Sequence, residues 1–241
     1  MMIRSKFPGG EIHVKLTPDF YPEGVKLRAD LRCSDDIMAL LLQTDAYRRM
    51  GVHSISVEIP YLPYARQDRA CNPGEALSLK VMCDIINAQN YKSVTIWDVH
   101  SDVALALLNN VINIPLSHFL MKIDNKDLIV APDAGALKKI SRLKLPFIRA
   151  DKERCTVTGK ITNTVVYSGD LGNTDLLIVD DICDGGRTFI ELAKELKKIT
   201  TGKINLYVTH GIFSNGFDIF RGLIDKIYCP NPFVDIPEDF K

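Results

Sequence analysis

The amino-acid sequence predicts an α/β fold of two domains, each built on a mainly parallel sheet flanked by helices. Three observations predict it. Short apolar runs of strand length alternate with segments of helical period along most of the chain. The alternation occurs in two successive stretches of similar size, separated by a polar connection. One apolar run passes through paired carboxylates and a glycine-rich turn into a helix, a junction that parallel α/β proteins use for anionic ligands.

In the first half, Ser34-Asp35-Asp36 opens a helix whose apolar residues Ile37, Leu40, Leu41 and Tyr47 keep helical spacing. Arg48 and Arg49 suit the negative end of its dipole, and Gly51 terminates it. Residues 54–59 alternate as a strand does and stop at Pro60; a helix over about 76–89 follows, with Leu77, Val81 and Ile85 on one face. A strand at 94–98 and a short helix at 102–109 complete this half. Pro115 and the polar stretch 122–126 mark the boundary, giving domains 1–121 and 122–241. The second half then reads strand 128–131, helix 134–142, strand 147–150, strands near 161–167 and 176–180, helix 186–198, strand 204–209, a short helix near 216–222 and strand 226–229.

Composition excludes several classes of function. With 241 residues, and 30 Lys+Arg against 30 Asp+Glu, the chain lacks the basic footprint of a nucleic-acid or anionic-membrane binder. Its 46% hydrophobic and 25% charged residues are those of a soluble globular protein. The longest apolar runs, 37–42 and 103–108, fall far short of the roughly 20 residues of a membrane span. The start, MMIRSKFPGGE, has no apolar core of a leader peptide. Cysteines 33, 71, 83, 155, 183 and 229 form no C-x-x-C pair and read as reduced packing or spacer residues in a cytoplasmic protein.

The segment with the most chemistry is Leu176-Leu-Ile-Val-Asp-Asp-Ile-Cys-Asp-Gly-Gly-Arg-Thr188. Asp180 and Asp181, at the carboxyl end of a strand, can accept sugar hydroxyls directly or hold them through a cation. Residues 184–188 (Asp184, Gly185, Gly186, Arg187, Thr188) offer backbone N–H groups, a hydroxyl and a helix N-terminus to a phosphate. Mg²⁺ suits such a place because it favours carboxylates, waters and phosphate oxygens. A lone glycine-rich turn is more often structural; the complete strand–acid–loop–helix string is read as functional.

This string resembles the phosphoribosyl pyrophosphate (PRPP) loop of type I phosphoribosyltransferases and of ribose-phosphate diphosphokinases (PRPP synthetases). Other segments choose between the two. Pro60-Tyr-Leu-Pro-Tyr-Ala-Arg-Gln-Asp-Arg69 is similar to the synthetases' P-Y-x-x-Y-A-R-Q-D-R, and Gly74-Glu-Ala-Leu-Ser-Leu-Lys80 to G-E-P-[IL]-S-x-K. Trp97-Asp-Val-His100-Ser resembles V-D-L-H-A, Ala131-Pro-Asp133-Ala-Gly resembles S-P-D-x-G, and Val208-Thr-His-Gly-Ile-Phe-Ser214 resembles A-T-H-G-[VIL]-F-S. The order and spacing are the family's. The resemblance implies two phosphoribosyltransferase-like domains, an N-terminal ATP-site domain and a C-terminal ribose-5-phosphate domain.

It also implies roles. Ribose 5-phosphate would lie on residues 180–188, with its phosphate in the 184–188 turn and its hydroxyls near Asp180 and Asp181. ATP, as co-substrate, would bind with help from Phe7, Glu11, Arg66, Gln67, Asp68 and His100. His100 and Asp133 match positions associated with Mg²⁺. Asp151-Lys152-Glu-Arg154 aligns with D-K-R-R, whose counterparts of Lys152 and Arg154 lie on a mobile loop over the transition state. Family members are homo-oligomers, at least dimers.

Departures are equally specific. Gly9 replaces the Asp of F-x-D-G-E, Glu153 stands between the two catalytic cations, and Arg187 occupies a usual Gly or Ala position. Both ends are shorter than the family's usual length. Thr209-His210-Gly reads as a strand end, and His13, His53 and His118 carry no functional reading. Two alternatives to an active synthetase are a catalytically silent, regulatory subunit and a phosphoribosyltransferase that consumes PRPP; the latter leaves the A-R-Q-D-R, D-V-H and T-H-G-I-F-S segments unexplained.

Overall fold

The computed structural model describes residues 2–17, 23–123, 127–154 and 161–241, with the side chains of 152–154 and 161–163 outside that description. The chain divides into two compact units, Met1–Pro115 and Leu116–Lys241. Each has its own hydrophobic core.

The first unit opens with an antiparallel hairpin, β1 (Met2–Lys6) and β2 (Ile12–Leu16). A parallel sheet follows, formed by β3 (Gly24–Arg28), β4 (Ser54–Ile59), β5 (Ser93–Trp97) and β6 (Val111–Ile114) in the order β3-β4-β5-β6. The connecting helices are α1 (Ser34–Arg49), α2 (Ser78–Asn87) and α3 (Asp102–Leu107). Every connection advances in the same direction, and right-handed crossovers then place every helix on one face. The core agrees: Leu40 of α1, Leu79, Met82 and Ile86 of α2 and Ala104 of α3 share one cluster with Ile55, Val57, Ile59, Val94 and Ile96 of the strands. Burial of each of these side chains larger than alanine stabilises by about 1.5–3 kcal/mol. The alternate strand residues Ser54, Ser56, Glu58, Ser93 and Thr95 are half-buried, which is why these parallel strands alternate instead of running continuously apolar. As expected, Arg48 and Arg49 end α1 and Gly51 follows with φ +84°.

The second unit begins with α4 (Leu116–Leu120), β7 (Leu128–Ala131) and α5 (Ala134–Ile140). Then come β8 (Phe147–Arg154), β9 (Ile161–Val166), β10 (Leu176–Cys183), α6 (Arg187–Leu196), β11 (Ile204–Gly211), β12 (Lys226–Tyr228) and the two-residue β13 (Asn231–Pro232). The strand order is β12-β11-β10-β7-β8-β9, with β13 beside β11. All neighbours are parallel except β8 and β9. From β10 the chain moves one way to β11; from β7 it moves the other way to β8. The same handedness rule therefore separates α6 from α5. Leu192 and Leu196 of α6 pack with Leu176 and Ile178 of β10, whereas Ala136 and Ile140 of α5 are buried outside that cluster.

Most predicted elements are present, with shifted ends. β8, β10 and β11 run past their predicted limits, so Asp181 lies within its strand and not beyond it. Helix 134–142 is shorter, its last turn tightening into a 3-10 turn at Ser141–Leu143, and the helix expected at 216–222 is only a 3-10 turn at Asp218–Phe220. β1, β2, β3, β6, α4 and β13 were not anticipated; β1 is exposed along its whole length and leaves no burial pattern in the sequence. The described cysteines are free. Cys83 and Cys183 are buried as expected, but Cys33 and Cys71 are exposed and not packing residues. No described helix is long and apolar enough to cross a membrane.

Candidate functional site

Between β7 and β10 the strand order of the second unit reverses, and ligands of open α/β sheets bind at the carboxyl ends of strands flanking such a reversal. The ladder between the two strands ends at Val130 and Ile178, whereas β10 stays paired with β11 to Cys183. The β7-facing edge of β10 is thus left without β7 as a partner where Asp180 and Asp181 lie. Asp133 follows β7 and caps α5, its carboxylate accepting the Ala136 N–H at 3.0 Å. The reversal brings Asp133, Asp180 and Asp181 to one end of the sheet.

Alternation along β10 turns the two neighbouring carboxylates to different faces. Asp181 is 5% exposed and accepts a hydrogen bond from Lys139 Nζ of α5 at 3.0 Å. Asp180 is half-buried and accepts the Asp181 N–H at 2.9 Å. Burial, and then the charges of Asp181 and Asp133, push the Asp180 carboxyl well above the usual carboxylate range. A carboxyl crowded in this way by other carboxylates is favourable to a hydroxyl partner or a cation.

The turn after β10 is shaped by backbone and bracing side chains. Gly186 precedes α6 with φ +76°, and a Cβ there would lie 2.7 Å from Phe220 Cζ. Only glycine fits without displacing a buried ring. Ser214 Oγ donates to Asp184 Oδ1 at 2.8 Å and Asn215 Nδ2 donates to the Gly185 carbonyl at 3.0 Å, so the segment after β11 supports the turn. Arg187 is exposed and Thr188 half-buried in the first turn of α6. Behind the turn, His210 is 2% exposed and its Nδ1 lies 3.0 Å from Asn231 Nδ2 on β13. Burial pushes the Cys183 thiol up, so it is not an activated nucleophile.

In the first unit a cleft of about 430 Å³ is lined by residues following β4 and β5, among them Arg66, Gln67, Asp68, Arg69, Glu75 and His100. Its walls are turns. Tyr64 takes φ +65° and the buried Asp98 φ +37°, and each redirects the chain just after a strand. Glu75 ties the 71–75 turn by accepting the N–H groups of Cys71 and Asn72 at 2.8 and 3.1 Å. Asp68 is anchored by Ser101 Oγ at 2.8 Å and by Arg69 Nε at 3.0 Å. The Ser101 hydrogen bond, followed by that of Arg69, holds the Asp68 carboxyl below its ordinary range against the cost of burial. Arg66, Gln67 and His100 are exposed.

The sequence-predicted residues thus fall into groups described separately. Asp133, Asp180, Asp181 and residues 184–188 gather in the second unit; Arg66, Gln67, Asp68 and His100 line one cleft in the first. Phe7 and Glu11 sit apart on the β1–β2 turn, where the Phe7 N–H donates to the Glu11 carbonyl at 2.9 Å and both are exposed. The backbones of Lys152 and Arg154 lie on β8 beside a register shift at Glu153/Arg154, while their side chains lie outside the described residues, as do residues 155–160. Sequence reasoning missed Lys139, Ser101 and the Ser214–Asn215 brace. Ser214 and Ser101 stood inside or next to recognised motifs, whereas nothing in the sequence links Lys139 to Asp181, 42 positions away.

Comparisons with known proteins point one way. Residues 2–89 match the family described as the N-terminal domain of ribose phosphate pyrophosphokinase. A ribose-phosphate pyrophosphokinase of Mycoplasmopsis pulmonis is 32% identical over 82% of this chain and 65% of the relative. One of Mycoplasma genitalium is 29% identical over 95% of this chain and 74% of the relative. The chain thus spans about two thirds to three quarters of the length of these relatives. The crystal structure of phosphoribosylpyrophosphate synthetase from Mycobacterium smegmatis superposes with a TM-score of 0.76 at 21% identity, covering 95% of this chain and 79% of that one, and establishes the likeness of fold.

Proposed function

We propose that the chain is a ribose-phosphate pyrophosphokinase and catalyses the reaction for which its relatives are named: transfer of the β,γ-diphosphate of ATP to the anomeric hydroxyl of ribose 5-phosphate, giving PRPP and AMP. The observation that carries this reading is the extent of the likeness. It runs through both units and not only through the phosphate turn, which phosphoribosyltransferases share.

In this reading the 5-phosphate is held by the backbone N–H groups and hydroxyl of residues 184–188 at the start of α6. Asp180 and Asp181 accept the ring hydroxyls. Arg66, Gln67, Asp68 and His100 bind ATP with help from Phe7 and Glu11. The anomeric oxygen attacks the β-phosphorus in line and AMP departs, so the protein's work is positioning and charge stabilisation. Lys152 and Arg154 neutralise charge growing on the transferred group and on the departing AMP oxygen.

Mg²⁺ fits the donor chemistry. Asp133 supplies hard oxygen atoms at the end of the sheet to which Asp180 and Asp181 also come. Among the described residues no cluster of three or more His, Cys, Asp or Glu could hold a metal ion by itself. When bound it would shield the phosphates' charge; the resemblance associates Mg²⁺ with Asp133 in the second unit and, separately, with His100 in the first. The reading also takes the protein to be a cytoplasmic homo-oligomer.

Purified protein given ribose 5-phosphate, ATP and Mg²⁺ is expected to release AMP and PRPP, and Lys152→Ala to lose about 10²–10³-fold in rate, the typical cost of one preorganised donor. AMP no higher than in that variant would sink the proposal and leave a silent subunit. Consumption of PRPP only on addition of a base would make the protein a phosphoribosyltransferase.

A further inference from the structure

Lys139 is placed to act on the end of β10 without belonging to any recognised motif. It is the penultimate residue of α5, the helix that begins at Asp133, and its side chain is 21% exposed. Its ammonium group lies 3.0 Å from Asp181 Oδ2, and the Asp181 side chain is 6% exposed. A polar group this buried needs a hydrogen-bond partner to compensate for lost water, and the Lys139 ammonium supplies one. A surface ion pair would contribute little, but this one lies mostly out of solvent, where loss of one partner leaves the other charge uncompensated. Ala136 and Ile140 are buried, which fixes the helix that carries Lys139. The bond also constrains geometry: with one oxygen tied to α5, the rotamer of Asp181 is set by the fold before any ligand arrives.

We propose that Lys139 is a positioning residue for the sugar: it holds Asp181 in the orientation that receives a ribose hydroxyl. The inference rests on the reading of residues 180–188 as the ribose 5-phosphate site. It predicts a selective defect. Loss of the cation weakens the sugar phosphate and leaves ATP unaffected, because the first-unit cleft draws on none of these groups.

The test uses Lys139→Met, which keeps the apolar stem, and Lys139→Arg, which keeps the charge. Lys139→Met is expected to raise KM for ribose 5-phosphate about tenfold or more, as for a lost hydrogen bond to a charged group. KM for ATP should stay within about twofold, and Lys139→Arg should recover most of the loss. Thermal protection by ribose 5-phosphate without ATP should fall in the same order, giving a readout independent of turnover. An unchanged ribose 5-phosphate KM in Lys139→Met, an equal rise in both KM values, or an arginine variant as impaired as the methionine one would overturn the proposal while leaving the activity intact. If Lys139→Met does not fold, Lys139→Gln takes its place with the same expectations. Wild-type protein that neither makes PRPP nor is protected by ribose 5-phosphate removes the functional reading and this inference with it.

Discussion

The two units meet one problem, holding polar groups at the carboxyl ends of parallel strands, in different ways. In the second unit the sheet reverses direction, and the reversal brings the ends of β7 and β10 side by side with a helix on each face. Its polar groups are buried or braced: Asp181 by Lys139, Asp184 by Ser214, Gly186 by contact with Phe220. In the first unit the order β3-β4-β5-β6 never reverses, and the cleft is bounded by turns carrying exposed Arg66, Gln67 and His100. Topology decides the difference. A reversal supplies a ready crevice, whereas a monotonic sheet must build one from loops, whose long side chains lose up to about 2 kcal/mol of rotamer entropy each when a ligand orders them.

A pair of glycines breaks or sharpens that contrast most strongly. Gly186 and Gly74 both have positive φ, but a Cβ at Gly186 meets Phe220 and Ile219 within 3 Å and one at Gly74 meets nothing within 4 Å. Gly186→Ala is expected to cost roughly 2–4 kcal/mol in urea unfolding, and Gly74→Ala only about 1 kcal/mol. Equal costs would mean that the second site is no more rigid than the first. Next in size, Asp181→Asn should weaken use of ribose 5-phosphate about tenfold while the ATP KM changes little; equal losses in steady-state kinetics would contradict the assignment of separate substrates to the two groups.

The smallest effect concerns Ser101, which caps α3 and donates to Asp68. Ser101→Ala should cost about 1 kcal/mol as a lost helix cap, and should let the Asp68 carboxyl titrate closer to its ordinary range in an NMR titration. Because the folded-state pKa of Asp68 is depressed, its stabilisation is present above the unfolded pKa and disappears as pH falls through the folded one. The gap between wild type and Ser101→Ala should therefore narrow in acid; a gap that is constant with pH would assign the whole effect to the cap.

The strands at the centre of the second sheet were legible because burial on both faces writes continuous apolar runs, as in Leu128–Ala131 and the Leu176–Val179 start of β10. The β1–β2 hairpin was not, since β1 buries nothing and β2 alternates only between half-buried and exposed. The carboxylates and the glycine turn were legible as a contiguous string. What supports them was not: Lys139, Ser214 and Asn215 arrive from other elements, and long-range hydrogen bonds leave no local periodicity. The positive φ of Tyr64 was equally hidden, because an aromatic residue does not advertise that conformation; Asp98 is of a type enriched there, but nothing in the sequence singles it out from the other aspartates.

The unreversed sheet of the first unit has one more consequence, for the chain before it folds. Its strands alternate, so β4 reads Ser-Ile-Ser-Val-Glu-Ile, and Glu58 is the only charge in that segment. In the folded protein Glu58 holds Lys26 Nζ at 2.5 Å and Arg28 at 3.4 Å, while Arg28 also stacks on Trp97. In the unfolded chain the same carboxylate acts as a gatekeeper. Without it the segment would set three β-branched aliphatic residues among small neutral ones with no charge and no proline, a composition that favours amyloid-like stacking. A sheet with helices on one face alone thereby acquires, in its outward charges, a safeguard against self-association during synthesis.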